Sequence, residues 1–287
     1  MEVVSMYKKS LMPIMFVLVF LAAVGLAGCG AKESKGSTGS ARSPEELEVK
    51  QWSGTDVQEV KVSRSKAFGR VNPALLGSFT DPAITRTFAE AILSAEKQSG
   101  VMDVIKPDYD LTFISDNTEQ SFQLWLHPES DSGMYAYVED TGTGYKLTEE
   151  SAVALKRYVY GIEYRSEQAA NNGDVVELLG KIMNADKWEQ FLANIKSGSA
   201  DEVQITSYTI EGDPIFYDLM FDGERIAYTY DSTFDAFGSR QKLDAFCTGI
   251  DGENTEQGID FKLTGCQEGQ KEAAATFRFM LPESNRY

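Results

Sequence analysis

The sequence predicts an α+β protein with two small domains, each an antiparallel sheet with helices on one face, preceded by a signal peptide and a flexible tether. Several short segments alternate apolar and polar residues, which is typical of half-buried strands. Longer segments carry apolar residues at helical spacing, and a polar stretch, 165–174, separates the two sets of elements. We therefore expect a signal peptide in 1–28, an anchor and linker in 29–56, and domains in 57–164 and 165–287.

The expected order of elements in the first domain is β-α-β-β-β-α. A short strand in 57–63 precedes a helix that starts at Pro82, with Asp81 as its N-cap and Gly100 just past its end. Strands follow in the segments YDLTFIS, SFQLWLH and MYAYVED. A last helix begins after Thr148 and buries an apolar stripe: Ala152, Leu155, Val159 and Ile162. This order predicts an antiparallel sheet with both helices on one face.

The second domain is predicted to begin with a helix in NADKWEQFLANIKSG, where Gly198 supplies the C-cap. Its apolar stripe has helical spacing: Trp188, Phe191, Leu192 and Ile195. Strands follow in VQITSYTI, IFYDLMF and RIAYTY, and Asp222-Gly223 predicts a hairpin between the last two. Further strands contain the cysteines, and ATFRFML closes the sheet. The second domain is therefore again a helix followed by an antiparallel sheet.

The N-terminal segment is typical of a secretory signal peptide. Residues 11–28 carry no charge and follow Lys8 and Lys9. A transmembrane helix is the alternative, since about 18 apolar residues approach the roughly 20 that span a bilayer. The run ends in Leu26-Ala27-Gly28-Cys29 rather than in the basic or aromatic belt of a membrane-spanning helix. These four residues resemble the lipobox of bacterial lipoproteins.

This resemblance implies that Cys29 is lipidated and becomes the mature N-terminus. Two acyl chains on one residue hold a protein on a bilayer, because each buried CH₂ adds about 0.8 kcal/mol. The Gly/Ser/Lys-rich stretch that follows is typical of a flexible tether. We therefore expect the protein at the outer face of the cell membrane. Its expected partners are the membrane, through the lipid on Cys29, and an envelope protein.

The charge of the chain excludes some partners. The formal net charge is −17 at pH 7. Such a surface repels the phosphates of nucleic acids and of anionic lipid headgroups. Nucleic-acid binding and a basic membrane-binding face are therefore not expected.

Cys247 and Cys266 are the last two cysteines of the chain. In an oxidising compartment such a pair predicts a disulfide, which closes a loop of about 20 residues and stabilises the fold by roughly 3 kcal/mol. A simple hairpin around DGENTEQG, with Ile250 opposite Ile259, places Cys247 opposite Lys262. Cys266 then lies about 13 Å further along the strand, too far for a bridge. The disulfide therefore requires a different strand register.

A candidate binding face lies in the first domain. In the strand SFQLWLH, Trp125 and His127, the single histidine, point to the same side. Tyr135 and Tyr137 alternate in the same way on the next strand, so we expect the four to form an aromatic surface with a titratable edge. The alternative is the second face of a sheet, partly covered and partly solvated. No nucleophile motif such as G-x-S-x-G accompanies His127, so catalysis by this histidine is not expected.

Three carboxylates crowd the segment IEGDPIFYD: Glu211, Asp213 and Asp218. Paired carboxylates act as general acid and base in glycan cleavage when their surroundings separate their pKa values. The stronger interpretation is structural, because Glu-Gly-Asp-Pro also supplies the glycine and aspartate that a tight turn needs.

The sequence predicts no metal or cofactor. The acidic loop 251–258 offers oxygen ligands but lacks the residue order of a calcium loop, so weak calcium binding is only an alternative to a solvated loop. One histidine and one spare cysteine pair exclude zinc and C-x-x-C redox sites. The sequence contains no P-loop and no dinucleotide fingerprint.

Two parts of the chain resemble known families. SKAFGRVNPALLGSFTD, with PDYDLTF, FQLWL and VEDTGTGYKL, is similar to the YhfM-like domain of Gram-positive lipoproteins. SYTIEGDPIFYDLMFDGERIAYTYDSTFDAFG resembles an uncharacterised domain family with an EGDPI-x-x-D-L motif. Both resemblances support a lipoprotein with two domains, and neither implies an activity or a substrate.

We therefore expect a membrane-anchored, extracytoplasmic binding or interaction module without catalytic activity. One alternative is the solute-binding lipoprotein of a transporter, which predicts alternating βα units and a cleft between domains. The other alternative is a wall-acting hydrolase that uses the paired carboxylates.

Overall fold

The computed structural model describes residues 53–99, 105–116 and 118–283. All of these residues lie in one compact unit. The predicted signal peptide and Cys29 lie outside the described residues. Within the described part, no helix combines the length and the apolar character needed to cross a membrane.

The first half is a seven-stranded antiparallel sheet with the strand order β2-β1-β4-β5-β6-β7-β3. Helices α1 and α2 contact each other, and their buried residues belong to the core beneath one face of this sheet. The elements are β1 Glu59–Arg64, β2 Leu75–Phe79, α1 Pro82–Leu93, β3 Glu96–Lys97, β4 Tyr109–Ser115, β5 Thr118–Leu126, β6 Gly133–Tyr137, β7 Asp140–Lys146 and α2 Glu149–Val159.

The start of α1 is as predicted, and its end is not. The Asp81 side chain accepts hydrogen bonds from the backbone amides of Ala83 and Ile84, which caps the helix. The helix ends at Leu93 rather than near residue 99, because Glu96–Lys97 joins the edge of the sheet by pairing with β7. The strand β7 was not predicted, because its segment DTGTGYK contains two glycines, which are more typical of turns than of strands.

The second half contains a six-stranded sheet, β13-β12-β11-β10-β8-β9, and a three-stranded sheet, β14-β15-β16. The elements are α3 Ser166–Asn172, β8 Val175–Leu178, β9 Lys181–Met183, α4 Ala185–Ser197, β10 Asp201–Tyr208, β11 Pro214–Phe221, β12 Ile226–Asp231, β13 Lys242–Cys247, β14 Gly249–Asn254, β15 Gly258–Thr264, α5 Lys271–Ala275 and β16 Phe279–Pro282. The α+β class with two largely antiparallel halves is therefore confirmed.

Some details of the second half differ from the prediction. The polar stretch expected to separate the domains forms α3, and β8 pairs with β10 in parallel. A helix over Lys271–Ala275 delays the last strand to Phe279, because the alanines there favour a helical turn.

The register around the cysteines is the reason that they can meet. Ile250 pairs with Leu263, not with Ile259, so the simple hairpin considered above is wrong by four residues. A tight turn, in which the Thr255 amide donates to the Gly258 carbonyl, produces this shift. Gly258 is required there, since its φ is +152° and a Cβ atom would lie 2.1 Å from the Leu281 oxygen. In this register Cys247 and Cys266 form a disulfide.

Two hydrophobic cores hold the structure together, and the first crosses from one half to the other. Phe234 packs against Tyr109 and Tyr160, with ring centroids 6.4 and 5.3 Å apart, and Phe216 packs against Tyr164 at 5.7 Å. The second core surrounds Trp188 of α4 with aromatic rings: Phe191, Phe261, Phe277 and Phe279. Since the first core takes side chains from both halves, the contact between them is part of the protein interior.

Candidate functional site

A buried cluster of charges joins the two halves. We call Arg64, Gln204, Asp218 and Asp231 the Arg64 cluster. The Arg64 guanidinium donates to both oxygens of Asp218, at 3.0 and 2.9 Å, and to Asp231 Oδ2 at 2.9 Å. It also donates to Gln204 Oε1 at 2.9 Å and lies 3.9 Å from the centre of the Phe216 ring. A residue at the end of β1 is thus bound by β10, β11 and β12 of the second half.

The electrostatics of this cluster favour the fully charged state. Burial, the largest single effect, raises the pKa of Asp218 and Asp231, but the Arg64 charge, the hydrogen bonds to each carboxylate and the charge of a nearby lysine together hold both pKa values below their ordinary range. Burial lowers the pKa of Arg64, and the two carboxylates more than reverse that effect. The cluster is therefore a saturated ion network with no group left to accept or release a proton near neutral pH.

The structure does not bring the predicted carboxylates into an acid–base pair. Glu211 is exposed at the turn before β11. Asp213 Oδ2 accepts a hydrogen bond from the Ala236 amide at 2.9 Å, and Asp218 is bound by Arg64. About 16 Å of extended chain separates Asp213 from Asp218, more than the 5 to 10 Å or so that glycosidase carboxylates require. These residues therefore serve the turn and the ion network.

A cavity of about 590 Å³ opens between the two halves. This volume lies within the roughly 300 to 1,000 Å³ that is usual for small-molecule sites. The first half contributes strand and loop residues, and the second half contributes residues of β12 and β13. The lining residues used below are Ile105, Lys106, Asp108, Trp125, His127, Met134, Lys146, Thr229, Lys242 and Asp244.

Trp125 and His127 both line this cavity, as their shared side of β5 predicted. The Trp125 indole is 8% exposed, and its Nε1 donates to the Ile105 carbonyl at 2.7 Å, which fixes the ring. The ring of Phe68 lies 6.0 Å away. His127 is exposed, and its Nδ1 accepts a hydrogen bond from the Glu129 amide at 3.2 Å. Trp125 is thus a rigid wall of the cavity, while His127 stands at its edge.

Tyr135 and Tyr137 do not share that surface, and this part of the predicted face is wrong. Tyr135 pairs with Leu124 and Tyr137 with Phe122, and residues directly opposite in a sheet lie on the same face. Both tyrosines are therefore buried in the first core, and the Tyr135 hydroxyl donates to the Ile92 carbonyl at 3.0 Å. A shared face with Trp125 would require Tyr135 or Tyr137 to lie opposite Trp125. In the structure Met134 pairs with Trp125, so the tyrosines lie on the other face of the sheet.

The charged groups of the cavity differ in how well they are paired. Lys242 Nζ lies 2.5 Å from Asp108 Oδ1, and Asp244 Oδ1 accepts from the Thr229 hydroxyl at 2.6 Å. Lys106 is half-buried, and its ammonium makes no hydrogen bond or salt bridge with any residue in the described part of the chain. Burial lowers its pKa. A smaller adjoining cavity of about 220 Å³ is also lined by Lys106, which therefore lies between the large cavity and the Arg64 cluster.

Sequence reasoning missed Lys106, Lys242 and Asp244. Lys106 precedes the strand YDLTFIS in a segment that gave no motif, and Lys242 and Asp244 alternate on a strand recognised only by its cysteine. Their meeting depends on packing between residues more than 100 positions apart. In the described residues, no group of three or more potential ligands is placed to hold a metal ion.

The fold and this site define an α+β protein with three sheets in its described part, whose halves jointly form an ion cluster and a cavity. Residues 61–163 match the family model described as YhfM protein, and residues 172–262 match the model described as domain of unknown function (DUF4362). The resemblance to a YhfM-like domain followed by an uncharacterised family is thereby confirmed. Arg64 and Lys106 fall in the first matched region, and Asp218 and Asp244 fall in the second. No curated protein and no solved structure matches the chain.

Proposed function

We propose that this protein is a lipid-anchored, extracytoplasmic binding module without catalytic activity, and that the cavity between its halves is the binding site. The observation that carries the proposal is the cavity itself, a space of small-molecule size with a rigid indole wall and an ammonium that has no partner among the described residues. Binding pockets commonly combine an apolar lining with a few oriented polar groups, and they occur preferentially between domains.

The side chains around the cavity support binding rather than catalysis. His127 Nδ1 is occupied by a backbone amide, and in the described residues no hydrogen bond joins this histidine to the Ser130 or Ser132 hydroxyls, which instead bond to each other at 2.7 Å. A nucleophilic mechanism needs the base within reach of the nucleophile.

Among the alternatives, the cavity favours a soluble small ligand over wall hydrolysis. A solute-binding protein requires a cleft between domains, and the cavity meets that requirement. The alternating βα units expected of such a protein are absent from the described residues, whose sheets are largely antiparallel. We therefore propose small-molecule recognition on a different architecture.

The anchor is tested by detergent phase partition of the native protein, with wild type, Cys29→Ala and a Ser34→Ala control. We expect wild type and Ser34→Ala in the detergent phase through the lipid, whereas Cys29→Ala should lack acyl chains and keep the uncut apolar segment 11–28, which the mass of its N-terminal peptide shows. The mass of the wild-type N-terminal peptide should show two acyl chains and a cut before Cys29. An aqueous wild-type protein with a free thiol would remove the lipid anchor from the proposal.

The binding site is tested by proximity crosslinking in the native envelope. Trp125→Ala/His127→Ala alters the cavity, and Ile210→Ala is the matched control, because Ile210 is 92% exposed and does not line the cavity. We expect the cavity variant to lose a specific crosslinked species that the control retains. Equal crosslinking by all three proteins would contradict a binding role for the cavity.

A further inference from the structure

We propose that the cavity binds a small amphipathic carboxylate, with the carboxylate paired to Lys106 and the apolar body against Trp125. This inference rests on the proposed binding function and specifies its ligand class. It follows from which charged groups of the cavity have a hydrogen-bonding partner among the described residues and which do not.

The carboxylates nearest to Lys106 are bound elsewhere. Asp218 accepts both of its hydrogen bonds from Arg64, Asp108 pairs with Lys242, and Asp244 accepts from the Thr229 hydroxyl. None of them lies within 4 Å of the Lys106 ammonium, although Asp218 and Asp244 act on it at longer range. Lys106 is therefore a desolvated cation whose hydrogen-bonding partner is not supplied by the described residues.

A half-buried ammonium without a partner among the described residues is costly, because the protein replaces little of the hydration that it loses. The lowered pKa of Lys106 reflects that cost. A ligand carboxylate in the cavity restores the missing partner through a charge-assisted hydrogen bond. Lys146 also lines the cavity and is unpaired in the described part of the chain, so it supplies a second, exposed cation.

The remainder of the lining selects the body of the ligand. Trp125 and Met134, which are paired across β5 and β6, present an indole and a thioether side chain to the cavity. The Trp125 ring is held in place by Ile105, so it offers a preorganised face for an aromatic or branched aliphatic group. The ligand class is thus a carboxylate on an apolar body small enough for about 590 Å³.

The test uses two probes of nearly equal shape, 1-naphthaleneacetate and its neutral amide, measured by isothermal titration calorimetry. The proteins are wild type, Lys106→Met, Lys106→Arg and a control, Lys196→Met, which changes a lysine at the end of α4 that does not line the cavity. We expect Lys106→Met to bind the anion about tenfold or more weakly, with little change for the amide. Lys106→Arg and Lys196→Met should bind the anion within a fewfold of wild type.

Anion binding that is equal in wild type and Lys106→Met, in variants that circular dichroism shows to be folded, would overturn the inference. If both probes then bind equally and Trp125→Ala weakens both, the cavity is a binding site without charge selection, and the proposed function survives. If neither probe binds any of the proteins at millimolar concentration, the ligand class is wrong. In that case the crosslinking experiment decides separately whether the cavity binds a partner.

Discussion

Arg64 and Lys106 are two cations of the first half that meet the second half under opposite conditions. Arg64 is almost fully buried and donates to two aspartates and a glutamine. Lys106 lines an open cavity and has no partner within the described residues. Both charges lose water, and within the described part of the chain Arg64 receives hydrogen-bonding partners in return whereas Lys106 does not. The comparison suggests a criterion: a buried charge with protein partners stabilises the fold, whereas a charge without such partners is available to bind a ligand.

Arg64 and Lys106 also differ in whether neighbouring charged groups depend on them. The aspartates of the Arg64 cluster depend on the guanidinium, because Asp231 is only 4% exposed and would be left uncompensated without it. No other charged group depends on Lys106 for a hydrogen bond in the described structure. Removing the first cation should therefore damage the fold, whereas removing the second should affect binding.

The variant Arg64→Met tests the structural role of Arg64 and has the largest expected effect. We expect it to lower the free energy of unfolding by about 3 to 5 kcal/mol, because two carboxylates remain in a desolvated site. Urea denaturation measures this. The triple variant Arg64→Met/Asp218→Asn/Asp231→Asn, which removes the stranded charges, should recover part of the loss. A loss below about 1 kcal/mol in the single variant would show that water compensates the aspartates.

The disulfide tests whether the Arg64 cluster and the shared core make the halves one cooperative unit. Replacing Cys247 and Cys266 by serine should lower the free energy of unfolding by about 3 kcal/mol, since the bridge closes a separation of 19 residues. We expect a single transition at a lower midpoint, seen alike by far-UV circular dichroism and tryptophan fluorescence. Two separate transitions would mean that the halves unfold independently.

The contribution of the Arg64 cluster to the free energy of unfolding depends on pH, because Asp218 and Asp231 have lowered pKa values in the folded state. Measurements at acid pH therefore test the comparison further. The contribution of these two aspartates to stability is complete above the ordinary pKa of 3.8 and is lost as the pH falls through the lowered values of the folded state. In Arg64→Met, burial raises the pKa of both aspartates, so their protonation restores stability to the variant at a higher pH than in wild type. The difference in unfolding free energy between wild type and Arg64→Met should therefore shrink as the pH falls, and continue to shrink below about pH 4. A constant difference down to pH 2 would contradict this assignment.

Two other aspartates show the opposite shift. Burial raises the pKa of Asp110 and Asp174, so their contributions are complete at low pH and fall as the pH rises through the folded-state values. Both residues are present in wild type and in Arg64→Met. The effect of Asp110 therefore cancels in the difference, whereas that of Asp174 cancels only in part, because the Arg64 charge lowers the pKa of Asp174.

The smallest expected effect on stability is that of Lys106→Met. We expect the free energy of unfolding to stay within about 1 kcal/mol of wild type, with any change toward higher stability, because a desolvated ammonium is replaced by a thioether of similar length. Urea denaturation beside Lys196→Met measures this. A loss of more than about 2 kcal/mol would show that Lys106 is a structural charge like Arg64.

Local patterns in the sequence predicted much of the fold. The N-cap at Asp81, the apolar stripe of α4 and the strands β4, β5 and β11 were each predicted from neighbouring residues, and the structure has them. The failures concern pairing between segments. Alternation shows which residues of one strand share a face, but the register with the next strand decides whether Tyr135 lies with Trp125 or opposite to it.

The candidate site was predictable only in part for the same reason. Trp125 and His127 were recognisable because both belong to one short segment, SFQLWLH, and His127 directly follows the end of β5. Lys106 and its surroundings come from segments that are distant in the chain and gave no motif. Asp218 was noticed for the wrong chemistry, since nothing near it in the sequence announces Arg64, which is 154 positions away.

The hydrophobic core that both halves share has a consequence for any chain that contains only one of the two regions. Here Phe216 and Phe234 cover Tyr109, Tyr160 and Tyr164. A chain that holds only the first region would expose these rings to water, together with an unpaired arginine, and would need another cover or would self-associate. The two regions are separate in sequence, but they share one hydrophobic core. Each region therefore needs the other to keep its apolar side chains out of water.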